Sequence, residues 1–299
     1  MITKFGKRFL TDYIAGNSTF NTKDIALGIG STSATENDTR LEFEFYRLPV
    51  SLGSINIEDD GVGGFNYYAI YKATIPQDVS GVISEIGLYP GQRKSTNSYD
   101  SKFVTSFENN YTWLDSSNNS PQLKANNTTE PFVSKIGEHM VQFDVNTSTS
   151  KEYTNSIVNL DLSGYSINDS LTIAYKKKDN NVTKIRVKLY SSDTQYYYGD
   201  FTPTSGTGDK IQSISMNSVF SNISATAPDP TNIIKIGIEV TAGSGGATTV
   251  YFDGLRINDE DTFDPSYGLI ARSILASEIT KVSGRESQIE FKLDLSFGD

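Results

Sequence analysis

Few residues in this chain could do chemistry. A single histidine, His139, lies in Lys135-Ile-Gly-Glu-His-Met-Val141, and the 299 residues include no cysteine. A nucleophilic triad needs a base beside its nucleophile, and no G-x-S-x-G elbow surrounds any serine. Histidine-based zinc sites are excluded by the count alone. His139 therefore reads as an ordinary strand or loop residue. Carboxylate pairs are the remaining catalytic route, because glycoside hydrolysis uses two acids roughly 5–10 Å apart. Asp59-Asp60, Glu85, Asp161, Asp169, and Asp253 with Glu239 are the candidates. A chain with 36 Asp and Glu offers such pairs by chance, mostly facing solvent. The expectation is no catalytic residue and no enzyme.

Cations and ligands are the other chemistry to weigh. Calcium takes several carboxylate and carbonyl oxygens at a loop. The run Asn258-Asp259-Glu260-Asp261, followed by Asp264, is dense in acids but lacks a D-x-D-x-D-G repeat, and it reads as a solvated acidic hinge. Tyr196-Tyr197-Tyr198 is the aromatic cluster suited to a ligand. Along a strand these residues alternate faces, so Tyr196 and Tyr198 share a side. There they could stack on sugar rings and hydrogen-bond hydroxyls; the plainer alternative leaves them half-exposed at a sheet edge. In that alternative Tyr197 packs inward. Trp113, the only tryptophan, reads as an anchor at a domain junction. Lys176-Lys177-Lys178 with Asp179-Asn180-Asn181 reads as a solvated hairpin tip.

The composition says what kind of scaffold must position such residues. Hydrophobic residues make up 36% of the chain, and 17 Tyr and 16 Phe supply most of the bulk. Tyr and Phe favour pleated, half-buried positions, and the abundant Asn, Asp, Ser and Gly supply turn chemistry. The formal charge of −10 argues against nucleic acid as a partner. Met1 to Leu10 has no apolar run of signal-peptide length, and no stretch approaches the roughly 18 apolar residues of a membrane span.

Period-two patterning fills in the elements. Phe5 to Ala15 suits one short helix. Strands are expected at Ile25–Gly30, at Arg40–Tyr46 with Leu41, Phe43 and Phe45 on one face, at Tyr67–Ile75 and at Val82–Tyr89. The loop-like runs Ser116–Pro121 and Ala125–Pro131 suggest a boundary. Beyond it a second β block holds Leu171, Ile173 and Tyr175. Ile185, Val187 and Leu189 follow, with Lys184, Arg186 and Lys188 facing away, then Ile234 to Val240 and Val250 with Phe252. Ile289, Phe291, Leu293, Leu295 and Phe297 give a last strand, preceded by one near Leu269–Leu275. About forty C-terminal residues cannot bury a core of their own. They must return to the first block, which makes the middle block an insertion.

Two resemblances attach to these motifs. Asp24-Ile-Ala-Leu-Gly-Ile-Gly-Ser-Thr32, Asn37-Asp-Thr-Arg-Leu-Glu42, Arg47-Leu-Pro-Val50 and Gly81-Val-Ile-Ser-Glu-Ile-Gly-Leu-Tyr89, closed by Ile289 to Phe297, resemble in their order a module of tailed-bacteriophage structural proteins. The middle block resembles a carbohydrate-binding jelly roll through Asp169–Tyr175, Ile185–Tyr190, Tyr196–Gly199, Asp209–Met216, Ile236–Val240 and Thr249-Val-Tyr-Phe-Asp-Gly-Leu-Arg-Ile257. The second resemblance implies that Asp253 ligates a structural calcium. Tryptophan often lines sugar-binding faces, and this block has none.

The expected architecture is all-β: an N-terminal β domain over 1–125, an inserted β-sandwich over 131–258, and returning strands over 266–299. The expected role is a non-enzymatic phage virion protein, located on the particle, whose partners are other virion proteins, sister copies in a homo-oligomer, and host-surface glycans. The ligand candidates are Tyr196 and Tyr198. The alternative is a glycan depolymerase or a secreted bacterial glycan-binding protein.

Overall fold

Alternating apolar residues and turn-rich joints give strands almost throughout. The computed structural model describes residues 1–17, 23–90, 102–125, 134–156, 159–258 and 268–295. Helix α1 (Lys4–Ile14) opens the chain, capped by the Thr3 hydroxyl, which accepts from the Gly6 N–H at 2.9 Å. It buries Phe9, on which Phe5 stacks. Strands β1 (Lys23–Gly28), β2 (Glu44–Pro49), β3 (Leu52–Asp59), β4 (Phe65–Ile75) and β5 (Gly81–Pro90) follow. Next come β6 (Lys102–Thr105), β7 (Trp113–Leu114), β8 (Gln122–Ala125), β9 (His139–Val145), β10 (Ser150–Asn155) and β11 (Ser170–Lys177). After them lie β12 (Val182–Tyr190), β13 (Tyr196–Phe201), β14 (Gly208–Ser215), a short helix α2 (Met216–Ser221), β15 (Lys235–Ala242) and β16 (Thr248–Asn258). The chain ends on β17 (Ala271–Lys281) and β18 (Ser287–Asp294).

These elements form two units, Met1–Ser95 with Asp261–Asp299, and Thr96–Glu260. The first unit has two antiparallel sheets, ordered β17-β5-β1-β2 and β18-β4-β3. β17 pairs β5 with Ala271 opposite Leu88, and β18 pairs β4 with Phe291 opposite Tyr71. Ile289, Phe291 and Leu293 of β18 are buried in one cluster with Ile25, Leu27, Ile83, Leu88 and Ala73. Residues 40–43, expected as strand, precede β2, because the N–H groups of Glu42 and Phe43 are taken by a side chain rather than by a ladder. Leu41 and Phe43 are nevertheless buried, as their alternation requires.

That side chain is Glu85. Fully buried in the middle of β5, it accepts from the N–H groups of Gly30 and Phe43 at 2.9 Å and of Glu42 at 3.1 Å, and from Arg272 Nε at 2.8 Å. Arg272 of β17 also donates to Asp38 at 2.9 Å and to the Thr32 hydroxyl at 3.3 Å. A Cβ at Gly28 or Gly30 would lie 2.5 Å from the Glu85 carboxylate. The glycines of the first motif are therefore the space this carboxylate occupies.

The second unit is a sandwich of a five-stranded sheet, β13-β12-β15-β10-β7, and a six-stranded sheet, β14-β11-β16-β9-β8, with β6 also paired to β16. Its core joins Ile185, Val187 and Leu189 to Ile236, Ile238 and Val240, and to Leu171, Ile173, Val250 and Phe252. The expected boundary after residue 125 is corrected. β6, β7 and β8 pair with β16, β10 and β9, so the inserted unit begins at Thr96. Asp115 explains the misreading: its carboxylate accepts from the N–H groups of Ser117 and Asn119, folding the Ser- and Asn-rich run into a tight turn rather than a linker. Trp113 is likewise corrected from a junction anchor to a core residue, 1% exposed and stacked on Phe107 at 5.1 Å. Lys177 is not at a solvated tip; it is buried, with Nζ donating to the Thr204 carbonyl at 2.5 Å and to Asn180 Oδ1 at 3.3 Å. Among the described residues no helix is long and apolar enough to cross a membrane.

Removing Arg272 strands a buried carboxylate. Arg272→Met should lower unfolding free energy by about 3–5 kcal/mol in denaturant titrations, and adding Glu85→Gln should recover part of that loss.

Candidate functional site

The five-stranded sheet of the inserted unit turns its apolar side chains to the core and presents a second set outward. Register fixes the second set. Tyr196, Tyr198 and Asp200 of β13 lie opposite Tyr190, Lys188 and Arg186 of β12. Next come Lys235, Gly237 and Glu239 of β15, then Glu152 of β10 opposite Glu239. Tyr196 and Tyr198 do share a face, with ring centroids 6.2 Å apart, and both are half-buried. Tyr197 points to the other side, edge-on to Phe220 and donating to the Pro228 carbonyl at 3.1 Å.

The structure adds a third ring that the sequence reading did not single out. Tyr190 packs against Tyr196 at 4.8 Å and donates its hydroxyl to Glu152 at 2.6 Å. Burial and the neighbouring Glu152 carboxylate both push the Tyr190 pKa upward. Gly237 makes this possible, since a Cβ there would meet Glu152 Oε1 at 2.1 Å and the Tyr190 ring at 2.8 Å. Tyr190 continues the register of Arg186 and Lys188 away from the Ile185-Val187-Leu189 face, but neighbouring side chains cover it and Lys188, and both are buried.

Every cation on this face is paired. Lys188 bridges Glu152 at 2.8 Å and Glu239 at 2.9 Å. Burial opposes its charge, but hydrogen bonds to these two carboxylates prevail and its pKa is raised. Arg186 forks onto Asp200 at 2.6 and 2.7 Å while its guanidinium lies over the Tyr198 ring at 4.1 Å. Lys235 pairs with Asp193 and lies over the Tyr190 ring. The face is thus a row of tyrosine rings bordered by carboxylate oxygens. Such a surface can stack on a saccharide ring and accept hydrogen bonds from its hydroxyls.

A second oxygen-rich place lies on the other sheet. Asp253 of β16 is buried; its carboxylate accepts from the Ser134 hydroxyl at 2.7 Å, the Lys135 N–H at 2.6 Å and the Ile136 N–H at 3.2 Å. Burial pushes its pKa up to about 7 against the pull of these bonds. The Ile136 and His139 carbonyls also lie 2.6 and 3.0 Å from the Ser134 hydroxyl. Three acceptors thus converge on a group with one proton to give. Glu108 flanks the same loop, accepting from the Glu138 and His139 N–H groups, and Gly137 exists because a Cβ would sit 2.0 Å from Glu108 Oε1. Sequence reading missed Glu108, whose partners lie some thirty residues further along the chain.

The remaining candidates do not converge. Asp60 accepts from Val62 and Gly64 within its hairpin turn. Asp161 and Asp169 accept from Ser163 and Ser166. Glu85 is committed to Arg272, and Glu239 stands on the tyrosine face while Asp253 stands on the opposite sheet. His139 Nδ1 lies 3.3 Å from Glu108. No three His, Asp or Glu side chains gather as a metal cluster among the described residues. The acidic run at 259–264 lies outside the described residues.

The sequence matches no family model and no curated protein. Among solved structures, the chain is similar over 55% of its length to the family 11 carbohydrate-binding module of cellulosomal cellulase Lic26A-Cel5E of Clostridium thermocellum, at 14% identity, 96% coverage of that chain and a TM-score of 0.38. It is similar over 55% to the family 30 carbohydrate-binding module of cellulosomal cellulase Cel9D-Cel44B of the same organism, at 14% identity, 99% coverage and a TM-score of 0.39. A third similarity, over 51% of the chain and 20% of the other, is to the enzymatically active domain of bacteriophage CBA120 tailspike protein 4, at 11% identity and a TM-score of 0.31. These likenesses are weak, and the sandwich assignment rests on the strand pairings described above.

Lys188→Met should leave Glu152 and Glu239 facing each other across the sheet. A destabilisation of about 2 kcal/mol is expected for such a half-buried pair, and Glu239→Gln in the same background should relieve it, both measured by chemical unfolding.

Proposed function

We propose that the inserted unit is a non-catalytic glycan-binding module carried by a phage virion structural protein, with the tyrosine face as its binding surface. The observation that carries the glycan reading is the pair of half-buried Tyr196 and Tyr198 rings, with the buried Tyr190 ring packed against Tyr196, beside the carboxylates of Glu152, Glu239 and Asp200. Catalysis is left out of the proposal because Lys188 bridges both Glu152 and Glu239, at 2.8 and 2.9 Å, so neither carboxyl stands free to serve as the acid that a glycosidase needs. The first unit would attach to the particle and to sister copies. That part rests on the resemblance of its motifs, and the motif residues Asp38, Glu42 and Glu85 do assemble around one arginine.

Structural calcium belongs to the same proposal. Asp253 and Glu108, with the Ile136 and His139 carbonyls, would supply the all-oxygen donor set that this cation prefers. Bound there, it would offset the buried Asp253 charge and tie the loop at 134–139 to β16.

Glycan arrays probed with the whole chain should show saccharide binding that falls about tenfold on Tyr196→Ala, the loss of one stacking contact of roughly 1.4 kcal/mol. Binding unchanged by Tyr196→Ala and Tyr198→Ala together, or glycan release lost on replacing a single carboxylate, would contradict the reading. For calcium, millimolar addition after chelation should raise the unfolding midpoint of the wild type but not of Asp253→Asn.

A further inference from the structure

The three-stranded sheet of the first unit ends on β3, and that edge is unusually bare. Among the described residues β3 has β4 as its only ladder partner. The Asp60 N–H bonds the Gly64 carbonyl, and the Leu295 N–H bonds the Tyr67 carbonyl on the other side of β4. Because bonded pairs alternate along an antiparallel ladder, Ser54, Asn56 and Glu58 turn their backbone groups to β4. Gly53, Ile55 and Ile57 turn theirs to the open edge. Natural edges are guarded by proline, lysine, bulges or inward charges; Gly53-Ser-Ile-Asn-Ile57 has none of these, and its register with β4 is regular.

The face beside this edge is apolar and exposed. Ile55 and Ile57 stand opposite Ala69 and Tyr67, on the side that further along the sheet forms the core. Ile55 is 78% exposed, Ile57 56%, and Phe65 59%, with Tyr67 alongside. Charge is graded along the same hairpin. Asp59 and Asp60 sit at the tip beside Glu58, which pairs with Lys292 at 2.9 Å, whereas at the base Lys72, opposite Leu52, pairs with Glu290 at 3.1 Å, so the tip is acidic and the base is balanced.

We propose that the β3 edge binds the β3 edge of a second copy of this chain, antiparallel and across a twofold axis, giving one continuous six-stranded sheet. A free row of backbone donors and acceptors calls for a strand, and the charge gradient selects which one. Antiparallel self-pairing keeps the acidic tips of the two hairpins apart and lays each against the charge-balanced base of the other; a like-end arrangement would bring Asp59 and Asp60 of both copies side by side. The register that serves the side chains places Ile55 opposite the partner's Ile57, Asn56 opposite the partner's Asn56, and Asp60 opposite the partner's Leu52, next to Lys72. Ile55, Ile57 and Tyr67 of both copies then form one covered apolar strip, in the self-complementary manner of a twofold interface.

The absence of cysteine makes this register directly testable. Asn56 is not backbone-bonded to its counterpart in this pairing, and the Cα separation of such a pair, about 4.5 Å, suits a disulfide. The full-length Asn56→Cys variant should form a covalent dimer under mild oxidation much faster than Ser163→Cys, an exposed control in the inserted unit. Sedimentation of the wild type should show twice the monomer mass at rising concentration, and Ile57→Lys should return it to monomer. A wild type that stays monomeric, together with Asn56→Cys cross-linking no faster than the control, would overturn the proposal. So would a dimer that Ile57→Lys leaves intact.

Discussion

A buried carboxylate on one strand and a guanidinium on another, joined late in the chain, hold the first unit together. Glu85 sits where β5 is covered on both sides, and without Arg272 its charge would be uncompensated in an apolar surrounding. The pair does more than neutralise. Glu85 gathers three backbone N–H groups of the 28–43 segment, and Arg272 reaches Asp38 and Thr32 in the same segment. One ion pair thus fixes a loop that has no ladder of its own and pins the returning strand β17 to β5. Replacing such a network by apolar residues could leave stability intact, but not the course of the loop.

The inserted unit solves a different problem with the same tools. Its outward face carries both signs of charge beside aromatic rings, and the carboxylates are shared so that each cation is held. Arg186 and Lys188 are thus engaged within the face, each held by carboxylates and lying against the Tyr198 and Tyr196 rings.

Sequence patterning revealed much of this and missed the rest for identifiable reasons. Period-two stripes such as Ile185-Val187-Leu189 and Ile289-Phe291-Leu293 located the strands and their buried faces, because burial on one side is a local property. The pairing of Tyr196 with Tyr198 followed from the same rule. What local pattern cannot carry is partnership at long range. Arg272 meets Glu85 across 187 positions, and Tyr190 acquires its role through Glu152 and Gly237 on separate strands. Composition misled at Ser116–Pro121, where polar residues serve a turn inside a sheet, and at Lys177, where a lysine run hides one member indoors.

The pairing of β6 with β16 has an entropic meaning. Lys102 lies opposite Ile257, so the first and last strands of the inserted unit are ladder neighbours. Once that unit has folded, its two ends are already held side by side. The contact between Leu88 and Ala271 then closes across two short connectors instead of the whole intervening chain, a shortening of about three doublings in loop length, worth roughly 2 kcal/mol of closure entropy. Folding of the inserted unit thereby offsets most of the closure entropy that its own length would otherwise impose on the unit it interrupts.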